Sequence, residues 1–161
     1  MKRLFFVAAL AVATISANAQ NENKPLTFSV GAEAHLPVGD WSDVYSVAFG
    51  GSVQAEYNLD EQLALTLNAG YLNFSGKDGW GSVGQIPVMG GIKYTFQGNI
   101  YAAAQLGASF STESGGGTSF VYTPGIGYKF SPNFDALLKY QGWSQNSSNS
   151  GTVGLRLAYN F

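Results

Sequence analysis

Residues 151–161, GTVGLRLAYNF, alternate without a break. Val153, Leu155, Leu157, Tyr159 and Phe161 fall on one side, and Thr152, Gly154, Arg156, Ala158 and Asn160 on the other. A period of two marks a strand with one apolar face and one polar or small face. The strand carries an aromatic at its last residue, on the apolar side. An apolar edge strand left bare in water invites pairing with other chains, whereas a strand that closes a barrel within a bilayer leaves no edge. The alternation therefore predicts a membrane barrel.

The same rhythm recurs upstream. It predicts strands at residues 26–36, 46–58, 63–74, 86–96, 100–110, 120–130 and 134–143, with 151–161 as the eighth. Each holds about ten residues, the length of a tilted membrane strand. The connections alternate in kind. Residues 37–45, 75–85, 112–119 and 145–150 read as long and polar, while 59–62, 97–99 and 131–133 read as tight turns. Long connections on one side and short turns on the other is the outer-membrane pattern, and an even strand number puts both termini on the short-turn side. Pro124 falls on the apolar face of the sixth strand, where its missing N–H predicts a bulge or a strand end.

The placement of charge says which face is outside. Eighteen side chains are charged, 8 basic and 10 acidic. Those in strands are Glu33, Glu56, Lys93, Lys129, Asp135, Lys139 and Arg156, and all seven lie on the Gly/Ser/Thr/Gln face. A water-facing sheet would carry more. Inside a narrow lumen three acidic and four basic groups can pair, and burial demands that they do. Arg156 is expected near Glu33 or Glu56. Aromatics fall in two groups: Trp41, Trp80 and Trp143 in or beside long connections, and Tyr57, Tyr94, Phe96, Tyr128, Phe130, Tyr159 and Phe161 near the tight turns and the C-terminus. Two such bands are what the two lipid interfaces select.

The N-terminus supplies a compartment. Lys2 and Arg3 precede an apolar run from Leu4 to Ile15, followed by Ser16, Ala17, Asn18 and Ala19. This is the form of a cleaved secretory signal, too short for a spanning helix. Residues 1–19 are thus expected to be removed, leaving residues 20–161 as a single barrel domain. That domain has 6 basic side chains (8 less Lys2 and Arg3) against 10 acidic ones. It lacks the basic footprint of a nucleic-acid binder. With no cysteine, disulfides and thiol chemistry are excluded.

GAEAHLPVGDW at 31–41, GIGYKFSPNFDALLKY at 125–140 and VGLRLAYNF at 153–161 resemble the small OmpA/OmpX-type outer-membrane barrels, the outer membrane protein beta-barrel or porin-like family of Gram-negative bacteria. The resemblance spans residues 26–161. It implies an eight-stranded barrel among outer-membrane lipid and lipopolysaccharide, expected as a monomer. It also implies a C-terminal signal, Tyr159 and Phe161, read by the barrel-assembly machinery.

Function is less legible. An eight-stranded barrel is just wide enough to be filled by its own side chains, so the inward charges read as a structural network. The expected role is structural or surface-interacting, through a ligand held at the loops. The alternative is a small pore or hydrophobic-solute conduit. A lipid-modifying enzyme is a third reading and would use His35, the only histidine, two residues from Glu33 on the same face. No nucleophile motif or metal-ligand cluster supports it, and His35 is expected as a hydrogen-bonded residue at the rim. Gly115, Gly116 and Gly117 lack the Lys-Ser/Thr of a phosphate loop. Asp40, Asp43 and Asp78 are loop acids expected to be solvated. No cofactor is implied.

Overall fold

The computed structural model describes residues 25–161 apart from Asp78, Trp80, Gln97, Ser114, Asn146 and Ser147. The predicted signal at 1–19 lies outside the described residues. The strands are β1 (Leu26–Val38), β2 (Tyr45–Asn58), β3 (Leu63–Gly76), β4 (Val83–Thr95), β5 (Ile100–Ser111), β6 (Thr118–Lys129), β7 (Phe134–Gln145) and β8 (Ser148–Asn160). One short helix, α1 (Trp41–Val44), sits between β1 and β2. Each strand pairs antiparallel with the next, and β8 returns to β1, closing the barrel. This is the eight-stranded up-and-down all-β fold that the alternation predicts.

The faces follow the parity of the sequence. Every strand presents large apolar side chains outward, among them Val30, Phe49, Leu67, Ile92, Leu106, Ile126, Leu138 and Leu157. The opposite parity is buried, including Glu33, Glu56, Lys93, Asp135, Lys139 and Arg156. A soluble barrel would invert this arrangement. At the short-turn end Tyr94 packs edge-on to Phe96, Tyr128 to Phe130, and Phe134 and Phe161 to Tyr159, which makes an outward aromatic band there. Asp60 fixes the first turn by accepting the backbone N–H groups of Gln62 and Leu63, both at 2.7 Å. Gly98, at φ 95°, takes the left-handed conformation in the second.

Three local expectations change. The strands extend past their expected ends on the long-connection side. β7 runs to Gln145 and β8 begins at Ser148, so Gln145 and residues 148–150 of the expected fourth long loop belong to the ladder, and Asn146 and Ser147 lie outside the described residues. The Ser and Asn residues at 148–150 give no apolar alternation because that part of the ladder carries no lipid-facing pattern. Pro124 produces neither a bulge nor an end. β6 runs through it, and the β6–β7 ladder skips residues 123–124 and resumes in the same register, from Tyr122↔Gly142 to Gly125↔Lys139. The missing donor opens a gap without inserting a residue. The register shift instead lies between Tyr45 and Val47, at the start of β2.

Glycine is used where aromatics cross strands. The Tyr122 ring lies over Gly142 of the adjacent strand, and the Tyr140 ring over Gly151. A Cβ at either glycine would meet the ring, so the absent side chain makes room for a cross-strand aromatic cover.

Candidate functional site

The inward charges form two clusters. In the first, Glu33 from β1 is the hub. Its Oε2 meets Lys139 Nζ at 2.7 Å and His35 Nε2 at 2.9 Å, and its Oε1 accepts the Ser52 hydroxyl at 2.5 Å. Arg156 stands opposite Glu33 in the β1–β8 register, with Nε 3.8 Å from the carboxylate. The same Nε donates to Ser52 Oγ at 2.9 Å, and a terminal nitrogen donates to Ser29 Oγ at 3.0 Å. In the second cluster Glu56 accepts two bonds from Lys93 Nζ, both 2.9 Å, and one from Gln54 Nε2 at 2.8 Å. Gln54 Oε1 accepts from Asn68 and Gln105, and Gln105 also reaches Thr66. Asp135 is held differently, by Tyr101 Oη at 2.5 Å and Asn160 Nδ2 at 2.7 Å. Lys93 lies 4.4 Å from the centre of the Tyr101 ring, a cation–π contact that joins these groups.

Lys129 stands apart. It is half-buried, and among the described residues no carboxylate lies within ion-pairing distance of its ammonium. It lines a cavity of about 200 Å³ at the short-turn mouth, with Thr27, Glu56, Lys93 and Asn160. Of the seven charges, five are therefore ion-paired in the interior, Asp135 is held by neutral donors, and Lys129 stands at the entrance.

His35 is not at the rim. It is fully buried in the lumen, where Nε2 donates to Glu33 and Nδ1 meets Thr152 Oγ1 at 2.9 Å. Hydroxyl, imidazole and carboxylate thus stand in the order of a nucleophile relay. Thr152 is also fully buried, among side chains rather than beside lipid or solvent. Residues two apart on a strand share a face, so Glu33 and His35 were brought inside together.

The outer half of the lumen holds an apolar cluster beside a few buried polar side chains, Gln85, Ser109 and Gln141. Ala48, Leu72, Phe74, Met89, Val121 and Trp143 form a buried apolar cluster, with Trp41, Tyr45 and Val83 packed on it. Trp143, 3% exposed, stacks on Trp41 with ring centroids 5.1 Å apart and planes at 25°. Phe74 meets both tryptophans edge-on at 5.0 and 5.8 Å. Trp41 and Trp143 are therefore a plug inside the barrel and not members of a lipid-interface band; Trp80 lies outside the described residues. The outward aromatics toward that end include Phe49, Tyr71, Phe110, Phe120, Tyr122 and Tyr140. The irregularity at Tyr45 re-aims its side chain onto Trp41 and Phe74, as bulges commonly do.

One signal in the sequence marks this plug. Leu72 and Phe74 share the parity of Thr66 and Asn68, Met89 that of Lys93, Val121 that of Thr123, and Trp143 that of Lys139 and Gln141. Leu72, Phe74, Val121 and Trp143 lie in the strand half beside a long connection and Met89 at mid-strand, so the apolar share of the interior rises toward that end. Among the described residues no three His, Cys, Asp or Glu side chains gather as metal ligands; Asp40 and Asp43 lie around α1, and Asp78 lies outside the described residues. Gly115 and Gly117 adopt left-handed conformations in the β5–β6 connection.

Comparison with solved structures shows the same architecture. The N-terminal barrel domain of Pseudomonas aeruginosa OprF is 16% identical, over 84% of this chain and 97% of that one, with a TM-score of 0.62. Yersinia pestis Ail, the attachment invasion locus protein, solved with the heparin analogue sucrose octasulfate, is 17% identical over 84% and 97%, with a TM-score of 0.61. Neisserial surface protein A is 14% identical over 86% and 98%, with a TM-score of 0.56. At such identities the likeness is one of fold. No curated protein matches the sequence. Residues 7–161 match the outer membrane protein beta-barrel domain, and with its lipid-facing apolar surface and closed eight-stranded ladder the chain belongs to that family of small outer-membrane barrels.

Proposed function

We propose that the protein is a non-enzymatic barrel with a filled interior, serving the outer membrane as a structural or surface-interacting element. The observation that carries this reading is the continuity of the filling. Buried ion pairs and amides occupy the lumen from Glu56 up to His35, and from there to the outer mouth it is filled by the aromatic plug together with Gln85, Ser109 and Gln141. An interior of this width is closed by its own side chains. The Thr152–His35–Glu33 relay lies inside that filling, out of reach of a lipid substrate.

The apolar belt is read as the contact with outer-membrane lipid and lipopolysaccharide, around a monomer. The loop end is left to meet other surfaces. The Ail structure holds a sulfated sugar, but here the loops carry Asp40, Asp43, Lys77, Asp78 and Glu113. This balance does not favour a polyanion. Tyr159 and Phe161, outward and in edge-on contact at 5.2 Å, are read as the positions used by the assembly machinery. Phe161→Ala is expected to slow assembly in cells while leaving refolding into detergent unchanged.

Planar-bilayer recording of the purified protein tests the central reading. Bilayers that stay silent support it, and discrete openings would overturn it. Lipid turnover that disappears in His35→Ala would establish the enzyme reading in its place.

A further inference from the structure

The outer mouth is closed by a segment that is poorly equipped to stand alone. α1 has four residues, and a helix of that length is not stable without tertiary support. Its N-cap residue Asp40 makes no side-chain capping bond. Gly39 before it has φ 64° and open space around its Cα, which suits a hinge. Two attachments hold the segment down. Trp41 is inserted among Trp143, Phe74 and Tyr45. Lys77, from the β3–β4 connection, donates its backbone N–H to Val44 O at 2.8 Å and its ammonium to Ser42 O at 2.7 Å, capping carbonyls at the helix C-terminal end.

Beneath this cover the apolar layer is thin. Gln141, two residues from Trp143 on the inner face of β7, is fully buried, and neither its amide oxygen nor its nitrogen has a hydrogen-bond partner within the protein. The Trp143 indole N–H is likewise without one. Buried polar groups are nearly always satisfied, and leaving several orphaned together costs stability. Below Gln141 the polar groups continue through Thr152, His35 and Glu33, then Gln54 and Gln105, to Glu56 and Lys93 at the cavity in the short-turn mouth.

We propose that α1 is a gate: when it lifts about Gly39, Trp41 leaves the mouth and water and water-sized polar solutes reach Gln141 and the polar column below it. This rests on the closed barrel as the resting state, and it adds a second, hydrated state in which the orphaned amide and indole gain partners. Lys77 is the latch and Trp41 the stopper.

The chain has no cysteine, so a single Gln141→Cys reports access cleanly. The test is its rate of reaction with a small methanethiosulfonate reagent in the barrel reconstituted in phospholipid vesicles, with Glu113→Cys in the exposed β5–β6 connection as the rate control. With the gate intact Gln141→Cys is expected to react slowly. Adding Lys77→Ala, which removes about one net hydrogen bond, is expected to raise the rate about fivefold. Adding Trp41→Ala, which removes three ring contacts, is expected to raise it roughly a hundredfold. The control rate stays constant, and heat-modifiable gel mobility confirms that each variant is folded. The same rate at Gln141→Cys in all three backgrounds, fast or slow, would overturn the gate. Acceleration by Trp41→Ala alone would overturn the latch. Near-ultraviolet circular dichroism gives a readout without cysteine: the signal of the stacked Trp41–Trp143 pair is expected to weaken in Lys77→Ala, and an unchanged signal would also count against the latch. Silent wild-type bilayers and accelerated labelling are separate results, so the closed barrel and the gate can fail independently.

Discussion

Glu33→Ala isolates what the interior ion pairs contribute. The Glu33 carboxylate stands between Lys139 at 2.7 Å and Arg156 at 3.8 Å, with His35 and Ser52 completing its bonds. The Lys139 side chain is 2% exposed, so without Glu33 its ammonium has neither solvent nor counter-ion. Removing one partner of a buried pair typically costs about 3–5 kcal/mol, mostly the penalty of the stranded charge. At about 1.4 kcal/mol per tenfold this is roughly two to four orders of magnitude in the unfolding equilibrium. The assay is urea unfolding of the barrel in phospholipid vesicles, followed by tryptophan fluorescence and checked by gel mobility. Because the penalty lies in the stranded ammonium, Lys139→Met in the Glu33→Ala background is expected to recover more than half of the loss. Lys129→Met, half-buried at the open mouth and in no ion pair among the described residues, strands no partner charge and is expected to cost less than about 1 kcal/mol. A Glu33→Ala variant within about 0.5 kcal/mol of wild type, or no recovery with Lys139→Met, would mean that the lumen solvates these groups and that the dry-interior argument fails.

Three further outcomes follow from other parts of the barrel. Arg156→Glu sets a carboxylate beside Glu33 across the β1–β8 pair and is expected to block folding into vesicles, whereas Asn149→Glu, exposed at the outer end of β8, is expected to fold normally. Equal tolerance would mean that the faces are reversed. Gly107→Ala drives a Cβ into the Val88 carbonyl and against Met89 Cα at 2.8 Å, while Gly81→Ala meets nothing. The first is expected to lose about 1–3 kcal/mol in the same urea assay and the second to remain near wild type. Backbone hydrogen bonds from Gln62 and Leu63 hold the Asp60 carboxyl below its ordinary value. A depressed folded-state value stabilises above the ordinary carboxylate range and loses that contribution as pH falls through the folded value. The gap in unfolding midpoint between wild type and Asp60→Asn is therefore expected at pH 6 and to shrink in acid, and a gap constant with pH would refute it.

The fold was legible because one physical requirement governs nearly every strand residue. Lipid on one side and a narrow lumen on the other force a period of two, and eight repetitions of that period leave little freedom. Glu33, Glu56, Lys93, Lys129, Asp135, Lys139 and Arg156 could be assigned a face from parity alone. Parity could not say which of them meet. Partners depend on the stagger between strands, so Lys139 of β7 reaches Glu33 of β1 across the intervening β8, while Lys129 of β6, although opposite Asp135 in the ladder, has no carboxylate within ion-pairing distance among the described residues. His35 was misplaced for a related reason: its distance from a loop in sequence suggested a rim, but β1 runs on to Val38 and carries it inside. Trp41 and Trp143 were misread because tryptophan near a strand end is ordinarily an interface residue. The parity of Trp143 with Gln141 and Lys139 was the better guide.

The two halves of the lumen solve different problems. The plug of Phe74, Leu72, Met89 and Trp143 fills space by contacts that many neighbouring arrangements would satisfy. The Glu33 cluster is specific. It draws on β1 for Glu33, Ser29 and His35, β2 for Ser52, β7 for Lys139 and β8 for Arg156 and Thr152, and these strands flank the seam where the first and last meet. A one-residue slip at that seam would turn the apolar side chains of β8 into the lumen, and lipid alone forbids it. A two-residue slip keeps every side chain on its proper face and is invisible to the hydrophobic pattern. It would move Arg156 by about 6.8 Å along the strand, away from Ser29, Ser52 and Glu33 together. The buried charges therefore discriminate where apolar packing does not, and their placement around the closing seam is where an eight-stranded barrel most needs its register fixed.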